Sequence, residues 1–435
     1  MKKILLLLAA CPTLAVAQPN IDSWIMNLNG KLASYWAQTA TPPAAPNYVF
    51  TMSSDSADVL KVCYNSDTIW VRAQGLTDNM GKYMNPGNCV AQNYTFRFPR
   101  TPQVATTKVQ SPKVGAIGAL LNGVPIYGIT NANSWNGSSN VPAPGGAGIW
   151  NVEVGMSEGF VLDTAFGAHP QQAGAYHSHT TPFRFYRNAP AGKHSPLVGF
   201  AFDGYPVYGP NGYVNPTDSM SGVTRMKSGY SLRSITQRHT LPDGTVLSST
   251  EYGPDVSTTY PIGFYVEDYE WLASNGGDLD EYNGRFCVTP EYPSGTYAYF
   301  VTTDASGAAV FPYYIGINYY GAPDQGNFGL GGGIVMPSGL SGCTLPQTNG
   351  VEKVLASGNG FAIFPNPTNG HITVTAKTGT YTDMIICNQM GAVILSGTLD
   401  SESIEADLNV APGAYFIRCI NKHTGASEAK SFIVQ

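Results

Sequence analysis

Charged residues are scarce in this chain, and several common functional signatures are absent from it. Only 12% of its 435 residues are Asp, Glu, Lys or Arg, and the formal net charge is −6. No cluster of Lys and Arg of the kind that phosphate contacts need stands out, so the sequence argues against nucleic-acid binding. It also has no P-loop, no dinucleotide-binding glycine fingerprint and no nucleophile-elbow serine motif. These absences leave open whether the chain is an enzyme.

Long apolar runs are also missing beyond the N-terminus. No later segment approaches the 18 apolar residues that a membrane helix needs, so no transmembrane segment is predicted. The opening MKKILLLLAACPTLAVA combines a basic start, an apolar run and small residues before Gln18. This pattern predicts a signal peptide over residues 1–17. A lipoprotein-type cleavage before Cys11 is the alternative for the same stretch.

Glycine, proline and tyrosine are abundant, at 49, 31 and 26 residues, which favours short strands and turns over long exposed helices. We therefore expect a mainly β protein. Glycine-rich residues 323–360 have little hydrophobic periodicity and are predicted to be a linker. Residues 18–322 would then form the functional domain, with an N-terminal strand region, and 361–435 a small C-terminal β-sandwich.

Six cysteines remain after the leader, an even number that permits disulfides in an exported protein. Sequence alone leaves 15 connectivities open, and buried free thiols are a further alternative. The most local pairings are Cys63 with Cys89 and Cys387 with Cys419, which leaves Cys287 with Cys343.

Four of the seven histidines lie within 26 residues, at His169, His177, His179 and His194. On a strand, His177 and His179 would point to the same face. His169, across a turn that contains Gly174, could return to that face from a neighbouring strand. Three neutral imidazoles suit zinc or copper.

Two acids and the fourth histidine extend this candidate site. Asp163, His194 and Asp203 are expected to be further ligands or groups that orient a ligating ring. The alternative is a hydrogen-bonded histidine cluster that fixes a loop, or an acid–base site without metal.

Three blocks can be compared with known families: FGAHPQQAGAYHSHTTPFRFY, HSPLVGFAFDGYPVYGP at 194–210 and LDEYNGRFCVTPEYPSGTYAYFVT at 279–302. Together they resemble the YHYH-domain proteins, an exported family. It spans about residues 60–322. Ser178 and Ala168 stand where many members have other residues, and neither change removes a histidine. The resemblance implies a domain type but no reaction.

The tail contains two distinctive segments, FAIFPNPTNGHITV at 361–374 and PGAYFIRC at 412–419. With these segments it resembles the type A C-terminal sorting domain of the type IX secretion system. It implies Sec export, passage through the outer membrane by the type IX machinery, and secretion or attachment to the outer cell surface.

Two functions remain in competition. The first is an exported metal-binding protein that holds copper or zinc in the histidine cluster. The second is a surface module that binds a glycan or polymer, with structural histidines. In that case the aromatic platform would include Tyr176, Tyr205 and Tyr208, although core packing is the simpler role for these rings. Arg285 would bind an anionic ligand or form a structural ion pair with Asp280 or Glu281.

Overall fold

The computed structural model divides the chain into two compact units, Met1–Pro346 and Gln347–Gln435. The predicted signal peptide lies outside the described residues. The described residues are 19–27, 30–38, 47–85, 87–329, 334–340, 342–344, 361–376, 379–388, 392–399, 401, 403–422 and 427–435. Strands far outnumber the short helices among them, so the fold is mainly β, as the composition predicted.

An eight-stranded mixed sheet, here called the main sheet, lies at the centre of the first unit. Neighbouring strands are antiparallel except for two parallel pairs, Tyr176–Ser178 with Pro125–Tyr127 and Pro206–Tyr208 with Thr296–Phe300. From edge to edge its strands are Ala168–Pro170, Tyr176–Ser178, Pro125–Tyr127, Ala116–Leu120, Leu197–Ala201, Pro206–Tyr208, Thr296–Phe300 and Gly284–Cys287.

Two glycines allow the central strands of the main sheet to approach closely. A Cβ atom on Gly118 would lie 2.5 Å from the carbonyl oxygen of Phe200, and one on Gly199 would lie 2.4 Å from that of Ala119. No side chain fits at either position, which explains the repeated glycines in this part of the sequence.

A four-stranded antiparallel sheet packs on the main sheet through aromatic rings. The ring centroids of Phe98 and Phe96 lie 5.6 and 5.8 Å from that of Phe202, which follows the central strand Leu197–Ala201. Phe98 also contacts Phe200 edge-on. These rings belong to one continuous core. In order, the strands of this sheet are Gly342–Thr344, Val59–Tyr64, Thr68–Ala73 and Tyr94–Pro99.

Smaller elements complete the first unit. The three-stranded sheet is Asn151–Glu153, Thr130–Asn136 and Val141–Pro144, and the two-stranded sheets pair Leu32–Gln38 with Tyr48–Ser56, Asn211–Tyr213 with Val223–Arg225, and Tyr230–Leu232 with Tyr269–Trp271. The α-helices are Pro19–Asp22, Val154–Glu158 and Phe183–Tyr186, and the 3₁₀ turns are Gln172–Gly174, Val266–Asp268, Ala273–Asn275 and Gln325–Asn327. Across the described ranges, no helix has the length and apolar character for a bilayer crossing.

The disulfide pairing differs from the most local one. Cys63 is bonded to Cys343, because their strands are adjacent and the two residues stand directly opposite each other. Sheet pairing, not sequence distance, selects the partner. The other described cysteines, Cys89, Cys287, Cys387 and Cys419, are free thiols.

Parts of the segment predicted as a linker make specific contacts with the first unit. The side chain of Asn327 accepts a hydrogen bond from the Arg97 backbone at 2.8 Å and donates one to its carbonyl at 2.7 Å. Residues 342–344 form an edge strand. Residues 330–333, 341 and 345–360 lie outside the described residues, so the domain boundaries stay a prediction.

The second unit contains two antiparallel sheets around its own core, which includes Ile372, Ile386, Ile417 and Phe432. This architecture agrees with a small β-sandwich. Its sheets are Ala362–Phe364, His371–Thr375 and Ser403–Asp407, and Val393–Thr398, Asp383–Asn388, Gly413–Ile420 and Ser427–Val434.

Candidate metal centre

Three histidines meet on a hairpin at one edge of the main sheet. This histidine hairpin consists of the antiparallel strands Ala168–Pro170 and Tyr176–Ser178, and it places His169 directly opposite His177. His179 follows two residues after His177 and returns to the same side of the strand. The nitrogen atoms that the three rings offer all lie within 4.8 Å of one another. The strand pairing expected from the sequence is therefore confirmed, and we call these residues the histidine cluster.

Hydrogen bonds fix the same tautomer in all three rings. In each one Nδ1 contacts an oxygen acceptor, so Nδ1 carries the hydrogen and Nε2 keeps its lone pair. The acceptors are the side-chain oxygen of Asn85, 2.7 Å from His169, the carbonyl of Ala175, 2.9 Å from His177, and the carbonyl of Gly128, 2.9 Å from His179. Ligating histidines in metalloproteins are oriented in the same way.

The Nε2 atoms face one another without a donor between them. Those of His177 and His179 are 3.0 Å apart. The Nε2 atom of His169 is buried and has no hydrogen-bond partner among the described residues. A set of converging lone pairs in a buried site is unfavourable unless a cation lies between them.

Burial keeps these histidines neutral. Each is no more than 3% exposed. Desolvation, followed by the neighbouring His179, lowers the pKa of His169 to about 3, and desolvation lowers that of His179 to about 4. Burial, together with the other two rings, also holds the pKa of His177 well below its usual range. Neutral imidazole is the form that binds a metal.

A small cavity and an aromatic ring adjoin the histidine cluster. Tyr127 stacks on His177 with ring centroids 3.9 Å apart and meets His179 edge-on at 5.8 Å. The cavity has a volume of about 80 Å³, and Lys113, Asn131 and the three histidines contribute to its lining. It is large enough for one or two waters or a few ligand atoms.

Glu158 is a neighbour of the cluster that sequence reasoning missed. Its Oε2 lies 3.4 Å from Nε2 of His169 and 3.8 Å from Nε2 of His179. Desolvation raises the pKa of this carboxyl to about 7. Glu158 ends the helix Val154–Glu158, and its only sequence signal is that it is an acid 11 residues before the first histidine of the cluster.

Asp163 lies on the opposite side of the histidine hairpin. Successive side chains of a strand alternate between its faces, so Tyr176 points away from the cluster, and Asp163 accepts the hydrogen bond of its hydroxyl. The carboxylate also accepts the backbone N–H groups of Ala165 at 2.8 Å and Phe166 at 2.7 Å. These bonds anchor the loop before the hairpin, and Asp163 does not join the metal-binding group.

His194 and Asp203 are not brought to the cluster either. His194 packs edge-on against Tyr208, with ring centroids 5.0 Å apart, and its Nδ1 donates to the carbonyl of Ser195. The strand of Tyr208 is four positions along the main sheet from that of His177, about 19 Å at ordinary strand spacing. Asp203 is buried and accepts the hydroxyl of Tyr299 at 2.5 Å.

The tyrosines considered for a glycan platform lie in the core. Tyr176 and Tyr208 are fully buried, and Tyr205 is 8% exposed. The hydroxyl of Tyr208 contacts Thr289 and Glu291, each at 2.8 Å. These contacts correct the platform hypothesis, because a sugar needs an accessible ring face.

Arg285 makes structural contacts instead of pairing with an acid. Its guanidinium donates to the carbonyl oxygen of Tyr213 and lies 5.7 Å from the ring of Phe300. Asp280 and Glu281, the acids considered as its partners, form no ion pair with it among the described residues.

Comparison with known families agrees with this organisation. The profile of the YHYH proteins matches residues 95–310, which include the histidine cluster and Glu158. Residues 95–310 are therefore a YHYH domain. The secretion system C-terminal sorting domain matches residues 362–435 of the chain, almost the whole range predicted for it. The protein is therefore exported by the type IX secretion system to the cell surface or the medium.

Other comparisons add little about the YHYH domain. No curated protein matches the chain. A structure of PorZ, a bacterial surface component of the type IX secretion system of Porphyromonas gingivalis, aligns with 96% of this chain at 9% identity, and the TM-score is 0.16. The chain spans 59% of that PorZ chain. A score this low gives no evidence of a shared fold.

Proposed function

We propose that this YHYH-domain protein binds a transition metal ion, zinc or copper, through Nε2 of the histidine cluster. The convergence of three Nε2 lone pairs, each set by a hydrogen bond at Nδ1, carries the proposal. A loop-fixing histidine cluster would instead pair ring donors with ring acceptors. Here His177 and His179 present two acceptors to each other at 3.0 Å, which favours a cation.

The donor set and the surroundings fit this class of ion. Neutral imidazole nitrogens suit zinc and copper better than calcium or magnesium, which prefer oxygen ligands. Stacked Tyr127 and the buried hairpin exclude bulk water from one side, and the adjoining cavity leaves room on the other. When bound, either metal would polarise a water molecule, and copper could also carry one-electron chemistry. The histidines hold it, and the acceptors at Nδ1 keep their rings in place.

Metal analysis of the full exported chain tests the proposal. We would load the purified protein with Zn²⁺ or Cu²⁺, remove free metal and quantify what remains by mass spectrometry. We expect about one ion per chain, as in mononuclear His₃ sites. The double variant His177→Ala with His179→Ala should retain none, because two of three ligands are removed.

A matched double variant controls for the loss of two histidines. His239 stacks on Tyr252 and His371 pairs with Asp407, so both lie outside the cluster. His239→Ala with His371→Ala should bind as much metal as wild type. A folded wild-type protein that retains neither metal would overturn the proposal.

A further inference from the structure

We propose that Glu158 is a fourth protein ligand of the same ion, which makes the centre a His₃Glu site selective for divalent metals. This inference rests on the proposed metal binding. It assigns to Glu158 a role that the sequence pattern did not suggest.

Glu158 has no hydrogen-bond donor among the described residues. Its side chain is 26% exposed, and its near protein neighbours are histidines of the cluster. The neighbouring atoms are Nε2 of His169 and Nε2 of His179, which in their fixed tautomers are also acceptors. Oε2 of Glu158 and the Nε2 atoms of His169 and His179 are therefore neighbouring acceptors that a positive ion between them satisfies. Glu158 lies outside the group of three histidines whose ligand atoms are all within 4.8 Å of one another, so its carboxylate has to move towards His177 to join the same ion.

The distances from Glu158 to two of the histidines are near those of a four-coordinate centre. Metal–ligand bonds of 2.0–2.1 Å at tetrahedral angles separate two ligand atoms by about 3.3–3.4 Å. The three measured edges are 3.0 Å between His177 and His179, 3.4 Å between His169 and Glu158, and 3.8 Å between His179 and Glu158. Shifts of a few tenths of an ångström would bring these three edges to the ideal value, and a larger movement of the Glu158 carboxylate is needed to close the edge to His177.

The fold fixes the helix that carries Glu158. Glu153 caps the helix Val154–Glu158 by accepting the backbone N–H groups of Gly155 and Met156 at 2.9 and 2.8 Å. The same carboxylate accepts the hydroxyl of Tyr313 at 2.7 Å. This anchoring at one end of a five-residue helix limits the movement of Glu158 at the other end.

A carboxylate ligand has consequences for which metal binds. Carboxylates stabilise Zn²⁺, Co²⁺ and Cu²⁺ more than Cu⁺, which prefers soft ligands. Glu158 also lines the cavity of about 80 Å³, so it holds the coordination position that an incoming small ligand would reach first. The site should therefore prefer divalent ions and exchange Glu158, rather than a histidine, for an added ligand.

The variant Glu158→Gln tests this role in the full chain. It keeps the shape of the side chain and removes its charge. We would titrate wild type and Glu158→Gln with Co²⁺, Zn²⁺ and Cu⁺ and record the visible spectrum of the Co²⁺ form. We expect at least about tenfold weaker Zn²⁺ and Co²⁺ binding, an altered Co²⁺ spectrum and unchanged Cu⁺ binding. Azide added to wild type should shift the Co²⁺ spectrum towards that of the variant with azide.

Controls separate failure of this inference from failure of metal binding itself. Glu270→Gln makes the same chemical change in the strand Tyr269–Trp271, away from the cluster, and should match wild type. A wild type that binds metal, with Glu158→Gln identical in affinity and Co²⁺ spectrum, would overturn the assignment of Glu158 alone. A wild type that binds no metal overturns the proposed function.

Discussion

The Nε2 atoms of His177 and His179 face each other at 3.0 Å, and the hydrogen of each ring is held at Nδ1 by a carbonyl oxygen. This arrangement is unfavourable for the metal-free protein, because two lone pairs approach within hydrogen-bond distance without a hydrogen. Metal binding would relieve it, so occupancy of the site and stability of the fold should be coupled.

Chelation should lower the midpoint of thermal unfolding, and added Zn²⁺ should restore it. An ion that binds only the folded state stabilises it by about 4 kcal/mol when its free concentration is 1,000 times the dissociation constant. Thermal unfolding followed by fluorescence, with and without metal, measures the effect. The variant His177→Ala with His179→Ala should show no response to metal. If the midpoint of thermal unfolding of the wild type does not change with metal concentration, metal binding and stability are not coupled.

Asp163→Asn should destabilise the first unit without changing its metal content. The buried carboxylate accepts hydrogen bonds from Tyr176 and from three backbone N–H groups, and an amide has only one acceptor oxygen. We expect a loss of about 1–3 kcal/mol in urea unfolding. Tyr176→Phe, which removes one donor to the same carboxylate, should cost less. If folded Asp163→Asn protein loses its metal, Asp163 acts on the site more directly than its contacts indicate.

The bond between Cys63 and Cys343 should be the only disulfide among the described cysteines. Alkylation of the unreduced, denatured chain should therefore label the four free thiols and leave this pair unlabelled. Cys63→Ser with Cys343→Ser should lower the unfolding free energy by about 2–5 kcal/mol, because the bond closes a long loop. Cys387→Ser, which changes one of the free thiols, is the control. Labelling of Cys63 without reductant would contradict the pairing.

Glu267→Gln should show a pH-dependent effect on stability. Burial raises the pKa of Glu267 from 4.5 to about 7. The hydrogen bonds from Asn151 lower this pKa, but burial is the larger effect. The folded state thus holds a proton that the unfolded state releases between pH 4.5 and 7, so wild-type stability falls across that range as pH rises. The variant does not titrate. The variant should have a lower free energy of unfolding than wild type, and this difference should shrink by roughly 3 kcal/mol between pH 4.5 and 8. A difference that stays constant with pH would contradict the raised pKa of Glu267.

The sequence predicts contacts between residues that are close in the chain better than contacts between residues that are far apart in it. The two-residue repeat of His177 and His179 and the glycine turn before them were enough to predict the hairpin. The strand Thr68–Ala73 can also be recognised from its sequence, because β-branched and aromatic residues stand out between turn residues. In each case the information lies within a few residues.

Relationships set by sheet order were not predictable in this way. His194 is near the cluster in sequence but four strands away in space, while Glu158 reaches the cluster from a helix without any spacing pattern. Asp163 is close to the histidines in sequence, but strand alternation turns its hydrogen-bond partner Tyr176 away from His177. The partner of Cys63 is 280 residues away in sequence, and only the pairing of their strands brings the two cysteines together.

The bond from Cys63 to Cys343 also determines what proteolysis can do to this exported protein. Nearly all of the domain, including the histidine cluster and Glu158, lies within the covalent ring that the bond closes. A single cut anywhere inside that ring leaves one connected molecule, whereas a cut after Cys343 releases the sorting domain as a separate fragment. The region between Cys63 and Cys343 therefore stays covalently connected after one cut, whereas the sorting domain does not.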